Sequence, residues 1–316
     1  MPPRKSTLYG IDSIGSSHKG VVLTIGNFDG VHIGHQKIVS RVLEKSAELG
    51  GAKTMAITFE PHPMKVLFPD RQLRLITTAE EKARLLHSYG IDTVLFIPFS
   101  REFASISADD FINNVLVDAL AAKAVVVGHG YAFGKGKKGT TDLLRRRGAK
   151  LGFAVSVVRN VTAIKKVVSS SRIRQVIANG NVAKAITLLG RPFAIHGTVI
   201  TGQGIGAKVL DTPTANITTP VEVVPKEGVY AVRVNVGGMH MDAVANIGTN
   251  PTFTGTGGAM SYEVHLLDFK GNLRGDFLEV QFIERLRDEI TFPNAEELKA
   301  QIDLDIKQTR EILARL

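Results

Sequence analysis

Apolar residues along the chain follow two rhythms. Between residues 20 and 190, short apolar runs alternate with stretches in which apolar side chains fall every three or four positions. Val21–Ile25, Thr54–Phe59, Thr93–Phe99, Ala124–Gly128 and Phe153–Arg159 read as strands buried on both faces. Between them, Ile38, Val39, Val42 and Leu43 mark one helix. A second starts at Thr78, with Glu81 completing a capping box, and continues through Lys82, Leu85 and Leu86. A third covers Asp109–Leu120. This alternation predicts right-handed βαβ units and a parallel sheet with helices on both faces. After Gly190-Arg191-Pro192 the rhythm changes to closely spaced strands: Ile195–Thr201, Val229–Val236, His240–Asn246, Ser261–Phe269 and Phe277–Glu284. Gly237-Gly238 and Lys270-Gly271-Asn272 supply turns, and the spacing predicts a small antiparallel β-barrel. A terminal helix follows Asn294, with Glu297 as its cap partner and Leu298, Ile302, Ile306 and Leu313 as its packing stripe. The expected fold is α/β followed by all-β, with a domain boundary between residues 188 and 189.

Charge divides along the same line. Residues 1–190 carry 27 Lys/Arg against 14 Asp/Glu, whereas residues 191–316 carry 12 against 16. Between Lys135 and Arg174 there are twelve basic residues and one acidic residue, Asp142. Such a stripe suits nucleic acid, a polyphosphate ligand or simply a solvated face. The absence of cysteine excludes disulfide, zinc-thiolate and thiol chemistry and fits a reducing cytoplasm. MPPRKSTLYG has no apolar signal region, and no run reaches membrane-spanning length, so no membrane partner is expected.

Candidate chemistry falls at the carboxyl ends of the predicted strands, where open parallel sheets bind ligands. The first end is Gly26-Asn27-Phe28-Asp29-Gly30-Val31-His32-Ile33-Gly34-His35. Its glycines admit a ligand close to the backbone, and the following helix start favours phosphate. His32 and His35 either aim Nε2–H donors at phosphoryl oxygens or are two surface histidines on a glycine turn. At the second, Glu60-Pro61-His62-Pro63, His62 is either a ligand contact or part of a rigid turn. At the third, Gly128 precedes Tyr131 and Phe133, which either line a pocket for an aromatic ring or belong to the core. The fourth is Ser169-Ser170-Ser171-Arg172-Ile173-Arg174. Hydroxyls and amides at a helix start, with two guanidiniums, make a second anion site. In the barrel, Thr214 and Asn216 lie on a turn stiffened by Pro213 and offer oxygens to a hard cation such as Mg²⁺, or are ordinary turn formers. Glu263 faces away from Tyr262 and Val264, as a general base or as a solvent-facing residue.

Together these motifs resemble the prokaryotic bifunctional riboflavin kinase/FMN adenylyltransferase family, often called FAD synthetase. GNFDGVHIGH, TFEPHP and SSSRIR resemble the adenylyltransferase module, a Rossmann-like nucleotidylyltransferase fold. PTAN, Asn246-Ile247-Gly248-Thr249-Asn250-Pro251-Thr252-Phe253 and YEVHLLDF resemble the riboflavin kinase module. The resemblance implies phosphorylation of riboflavin by ATP to FMN, then adenylylation of FMN to FAD with release of pyrophosphate. His32 and His35 would hold ATP phosphates and stabilise the transferring α-phosphoryl group. Ser169, Ser170, Ser171, Arg172 and Arg174 would form the second phosphate site. Gly26, Asn27, Phe28, Asp29, Gly30, His62, Gly128, Tyr131 and Phe133 would contact nucleotide or flavin, and Lys208 and Asn246 would do so in the barrel. Thr214 and Asn216 would bind Mg²⁺ with ATP, and Glu263 would activate a ribityl hydroxyl.

Two departures from the family pattern qualify this. Ala207–Thr212 stands where the family has Gly-Arg-x-Leu-Gly-Phe, and Asp211 puts a negative charge where ATP would come. Gly130 stands at the usual acid or amide position, with Tyr131 for Phe. The alternatives are therefore an FMN adenylyltransferase with an impaired kinase module, or a basic protein that binds nucleic acid. The ordered motifs of both halves argue against the latter. Homo-oligomerisation stays open.

Overall fold

The computed structural model describes residues 5–200, 214–250 and 259–315. The chain divides into two compact units, Met1–Ser170 and Ser171–Leu316.

The first unit is a six-stranded parallel sheet in the order β1-β4-β3-β2-β5-β6. Its strands are β1 (Ser6–Tyr9), β2 (Val22–Ile25), β3 (Thr54–Glu60), β4 (Thr93–Pro98), β5 (Ala124–Gly128) and β6 (Ala154–Val158), and a separate antiparallel pair, β7 (Thr162–Ala163) and β8 (Lys166–Val167), follows. Between them run α1 (Ile33–Glu48), α2 (Pro63–Leu67), α3 (Ala79–Ser88), α4 (Arg101–Ala104), α5 (Ala108–Asp110) and α6 (Thr141–Leu151). In β2 the alternation of side chains feeds two cores. Leu23 and Ile25 pack with Ile57, Leu95, Ile112 and Leu116 on one face. Val22 packs with Val39, Val42, Leu86 and Phe96 on the other. Continuous apolar runs are what a sheet covered on both sides requires.

Three local features differ from the sequence expectation. β1 is an additional edge strand, parallel to β4; in Ser6-Thr7-Leu8-Tyr9 only Leu8 joins the core, so its apolar signal is weak. The expected helix over Asp109–Leu120 is α5 followed by a π-helix, Phe111–Ala119, which buries Phe111, Ile112, Val115 and Leu116. Finally, Thr214–Thr218 is a strand rather than a turn. Its alternation buries Ala215 and Ile217, which a reading centred on Pro213 overlooks.

The second unit begins with two helices, α7 (Ser170–Ala178) and α8 (Val182–Leu189). A closed antiparallel barrel follows, ordered β10-β13-β12-β11-β14-β9. Its strands are β9 (Phe193–Ile200), β10 (Thr214–Thr218), β11 (Gly228–Val236), β12 (Met239–Asn250), β13 (Ala259–Leu266) and β14 (Phe277–Arg287). Gly237-Gly238 turns the β11–β12 hairpin, with Val236 opposite Met239. Phe193, Ile195, Val232, Val264, Leu278 and Phe282 are among its buried side chains, and α8 packs on β14 and β9.

The C-terminal helix, Ala295–Leu313, is capped by Asn294, whose Oδ1 accepts from Glu297 N at 2.9 Å. It lies against β11, β12 and β14. The Arg287 guanidinium fixes it there, meeting Asp305 through Nε (3.0 and 3.1 Å) and Nη2 (2.8 Å). Asp305 is 2% exposed, so removing it leaves a partly buried cation without its counterion. Asp305→Ala is expected to destabilise this unit by about 3 kcal/mol, seen as a lower urea midpoint; an unchanged midpoint would remove the pair from the fold's stability.

Candidate active sites

In the first unit, the chain leaves β2 along β3, Gly26 N donating to Ile57 O at 3.0 Å, and then turns sharply. Phe28 (φ 49°), Gly30 (φ 78°) and Val31 (φ 37°) take left-handed conformations, costly for the two that carry side chains. The buried Asp29 carboxylate holds the turn. Its Oδ1 accepts from Ile76 N at 2.9 Å and Thr77 N at 3.3 Å, while Gly30 N donates to Thr77 Oγ1 at 3.1 Å. A Cβ on Gly30 would lie 3.0 Å from Ile76 Cδ1, so this approach requires glycine on space as well as on φ. Ser170 Oγ donates to the Asp29 carbonyl at 2.9 Å.

The loop delivers both imidazoles to the start of α1. His32 is its N-cap, with Nδ1 accepting from His35 N at 3.3 Å. With Nδ1 as acceptor, the proton of the neutral ring is on Nε2. The two rings stack at 3.7 Å and 14°, and Phe28 meets His35 edge-on at 5.2 Å. Gly34 makes this overlap feasible, because a Cβ there would sit 3.1 Å from the His32 ring. Burial, then the neighbouring His32, then Lys82 hold His35 well below the usual histidine range. Its Nδ1 is buried with no hydrogen-bond partner among the described residues.

Beside this loop is a cavity of about 610 Å³. Gly26 and Asn27 line one part of it, and aromatic rings line much of the rest. Phe59, Phe99, Phe103, Phe111, Phe133 and Tyr131 form a continuous chain, with successive centroids 5.4 to 6.3 Å apart. Tyr131 and Phe133, singled out from the sequence, stack at 15°, and burial pushes the Tyr131 phenol far above its usual range. The other four rings were not singled out. They sit at a strand end (Phe59), just past one (Phe99) and at helix positions (Phe103, Phe111), where aromatics read as ordinary core. Gly128 ends β5, and Tyr131 N donates to its carbonyl at 3.0 Å. Gly130 is part of the cavity lining. His62 is not; it is buried and caps α2, with Nδ1 accepting from Met64 N at 3.1 Å.

The division between the units falls inside the serine-rich motif. Ser169 and Ser170 go with the first unit, and Ser171, Arg172 and Arg174 with the second, on α7.

In the barrel, strand register assembles the second group. Asn216 on β10 is opposite Glu263 on β13, which in turn is opposite Asn246 on β12. One step along, Thr214, His265 and Val244 are aligned. Asn216, Glu263 and Asn246 are all half-buried, whereas Ala215, Ile217, Tyr262 and Val264 between them are buried on the opposite parity. Ser261 Oγ reaches Glu263 Oε1 at 3.5 Å, and Asn246 Nδ2 donates to Glu289 Oε1 at 3.1 Å. His265 was not singled out from the sequence; it is buried, and desolvation lowers its pKa. Lys208 and the rest of Ala207–Thr212, with residues 251–253, lie outside the described residues. Among the described residues there is no cluster of three or more His, Asp or Glu side chains able to hold a metal, and no helix is long and apolar enough to cross a membrane.

A parallel sheet with paired imidazoles at a helix start, followed by a closed barrel carrying an Asn/Glu/Asn row, defines a two-module α/β and β-barrel protein. The FAD synthetase family model matches residues 14–172 and the riboflavin kinase model matches residues 189–313. A bifunctional riboflavin kinase/FMN adenylyltransferase from Pseudomonas fluorescens is 39% identical over 96% of this chain and 97% of its own. Its counterpart in Escherichia coli strain K12 is 39% identical over 93% of each. A crystal structure described as a macrolide-efflux protein from Streptococcus pneumoniae superposes with a TM-score of 0.87 at 32% identity, over 96% of this chain and 98% of that one. The chain belongs to the bifunctional riboflavin kinase/FMN adenylyltransferase family.

The His35 environment has a consequence for stability. Its pKa is near 6.5 in the unfolded chain and lower in the folded one, so the unfolded state takes up the proton first as pH falls. His35 therefore withdraws stability from pH 6.5 downward to its folded value, and His265 acts in the same direction. Urea midpoints are expected to drop as pH falls from about 7 to about 5, and to drop less in His35→Gln. Equal slopes in the two proteins would exclude His35 as a cause.

Proposed function

We propose that the chain makes FAD from riboflavin in two ATP-dependent steps at two separate sites, with residues 1–188 carrying adenylylation and residues 189–316 carrying phosphorylation. The observation that carries the first assignment is one loop with two roles: its Gly26 and Asn27 line the aromatic cavity, and its His32 caps the adjoining helix, whose first turn carries His35. The cavity suits a flat isoalloxazine ring, which offset stacking on Tyr131 and Phe133 would grip. An FMN phosphate oxygen attacks the α-phosphorus of ATP, the bond to the bridging oxygen breaks, and pyrophosphate leaves. His32 and His35 donate hydrogen bonds to the phosphate oxygens as charge builds on them. The backbone amides at the start of α1 add to the same field. Ser169, Ser170, Ser171, Arg172 and Arg174 hold the departing phosphates, with Arg supplying bidentate contacts.

In the barrel, the row of Asn216, Glu263 and Asn246 supports the kinase assignment. Glu263 takes the proton of the riboflavin 5′-hydroxyl as that oxygen attacks the γ-phosphorus, and ADP leaves. Thr214 and Asn216 offer neutral oxygens at alternate positions of one strand, a donor set that suits Mg²⁺ when ATP supplies the anionic ligands. When bound there, Mg²⁺ neutralises the triphosphate. Asn246, oriented by Glu289, positions the flavin or nucleotide, and Lys208 binds phosphate. Riboflavin, FMN and ATP are small soluble substrates, so neither step calls on nucleic acid or a membrane, and a cysteine-free chain of this kind suits the cytoplasm.

Purified protein is to be offered Mg²⁺ and ATP with riboflavin or FMN in separate tubes, and the products separated by liquid chromatography. His32→Ala is expected to lower FAD formation from FMN by at least about 10²-fold while FMN formation from riboflavin continues. Glu263→Ala is expected to do the reverse. Loss of both products in either folded variant would contradict separate sites. FAD formation by the parent chain from FMN alone would mean that Ala207–Thr212 marks an impaired kinase.

A further inference from the structure

Helix α3 carries a charge on its buried face. Lys82, Ala83, Leu85 and Leu86 are its buried residues, and Lys82 is 1% exposed. Lysine is almost never buried to this extent without a partner. Among the described residues, no carboxylate forms an ion pair with its Nζ, which lies 5.7 Å from the centre of the Phe96 ring. Two carboxylates act on it at longer range, Glu60 at the end of β3 and Asp29 in the turn after β2, and both favour the charged form against the pull of burial. Its field also reaches His35. The geometry agrees: α3 starts directly after Ile76 and Thr77, whose amides hold Asp29, and its Ala83, Leu85 and Leu86 share one core cluster with Phe28 and Val31 of the loop that carries His32 and His35.

The fold alone does not call for a charge here. Methionine has a similar length and can be buried without desolvating an ion, and replacing poorly paired buried charges by apolar side chains is often neutral or stabilising. A lysine kept at such a position costs stability, which points to a return elsewhere. Fixed positive potential in a low-dielectric region next to a phosphate-handling loop is such a return.

We propose that Lys82 is a positioning residue of the adenylylation site: its buried ammonium holds the Asp29 loop in place and supplies standing positive potential behind His32 and His35, where the ATP phosphates bind. The inference rests on the assignment of those two imidazoles to adenylylation. Lys82 touches no reacting atom; it acts through the loop and through its field.

The test uses the full chain with Lys82→Met, Lys82→Arg and, separately, His35→Ala. Urea midpoints, steady-state kinetics of FAD formation from FMN and NMR titration of the imidazoles are read for each. Lys82→Met is expected to unfold at the same urea concentration as the parent or a higher one. Its kcat for adenylylation is expected to fall by about 10- to 100-fold, with riboflavin phosphorylation unchanged. His35 is expected to titrate at higher pH in Lys82→Met than in the parent, because a like charge has gone. Lys82→Arg, which keeps the charge, is expected to retain most of the activity that Lys82→Met loses. Adenylylation by Lys82→Met within about twofold of the parent, less than 1 kcal/mol of transition-state stabilisation, would overturn the proposal. So would a midpoint that falls in step with activity, or a Lys82→Arg as inactive as Lys82→Met. If His35→Ala leaves adenylylation intact, the underlying site assignment fails. If His35→Ala stops it and Lys82→Met does not, the role of Lys82 alone fails.

Discussion

The Asp29 carboxylate holds together a loop that would not hold its shape alone. Phe28 and Val31 are left-handed, and strained non-glycine residues of this kind cost of order 1–3 kcal/mol each. Against that stand the hydrogen bonds from Ile76 N and Thr77 N to a buried anion, each worth about 1.5–3 kcal/mol. The two terms are comparable, so the loop persists because its anchor is charged and excluded from water. A neutral amide in its place would leave the strain poorly offset. The N-cap of α1, the stacking of the two imidazoles and the bond from Ser170 all follow from this loop shape.

The two units position their candidate site residues by different structural means. The front unit uses backbone: a strained turn, a helix start and glycines that let groups overlap. Its side chains are pinned by hydrogen bonds to other loops. In the barrel, the side chains of the Asn216, Glu263 and Asn246 row are placed by strand register. Among the described residues, left-handed non-glycine backbone falls mainly in the first unit, with Asp268 in the second.

Much of this was legible in the sequence. The alternation of strands and helices, the barrel strands, the Asn294 cap and the Gly237-Gly238 turn followed from periodicity and local chemistry, whereas Lys270-Gly271-Asn272 joins two strands that do not pair. The density of GNFDGVHIGH also marked its loop directly. Other features depend on neighbours far away in sequence. Phe59, Phe99, Phe103 and Phe111 look like core residues until the fold lines them up around one cavity. Lys82 was seen only as a position in a helical stripe, because periodicity assigns a face but not the cost of putting a charge on it. Asp305 was hidden for the same reason, as its partner Arg287 is on β14 and nothing local links them. Thr214–Thr218 read as a turn because Pro213 outweighed an alternation only five residues long.

The closed barrel also limits how this half of the molecule can change over evolutionary time. Each strand is bonded on both sides, so none can slide without disturbing two neighbours. An insertion of a single residue within β13 would swap the face of Glu263 and His265 for that of Tyr262 and Val264. The chain would lose its polar row and bury a carboxylate in one event. Two residues would restore the parity but shift the row along the strand, away from Asn216 and Asn246. Lineages of this barrel are thus free to vary in length at the hairpin tip near 237–238 and in the connection from β13 to β14, which are not neighbours in the barrel. Within β13 they can drift only by substitution.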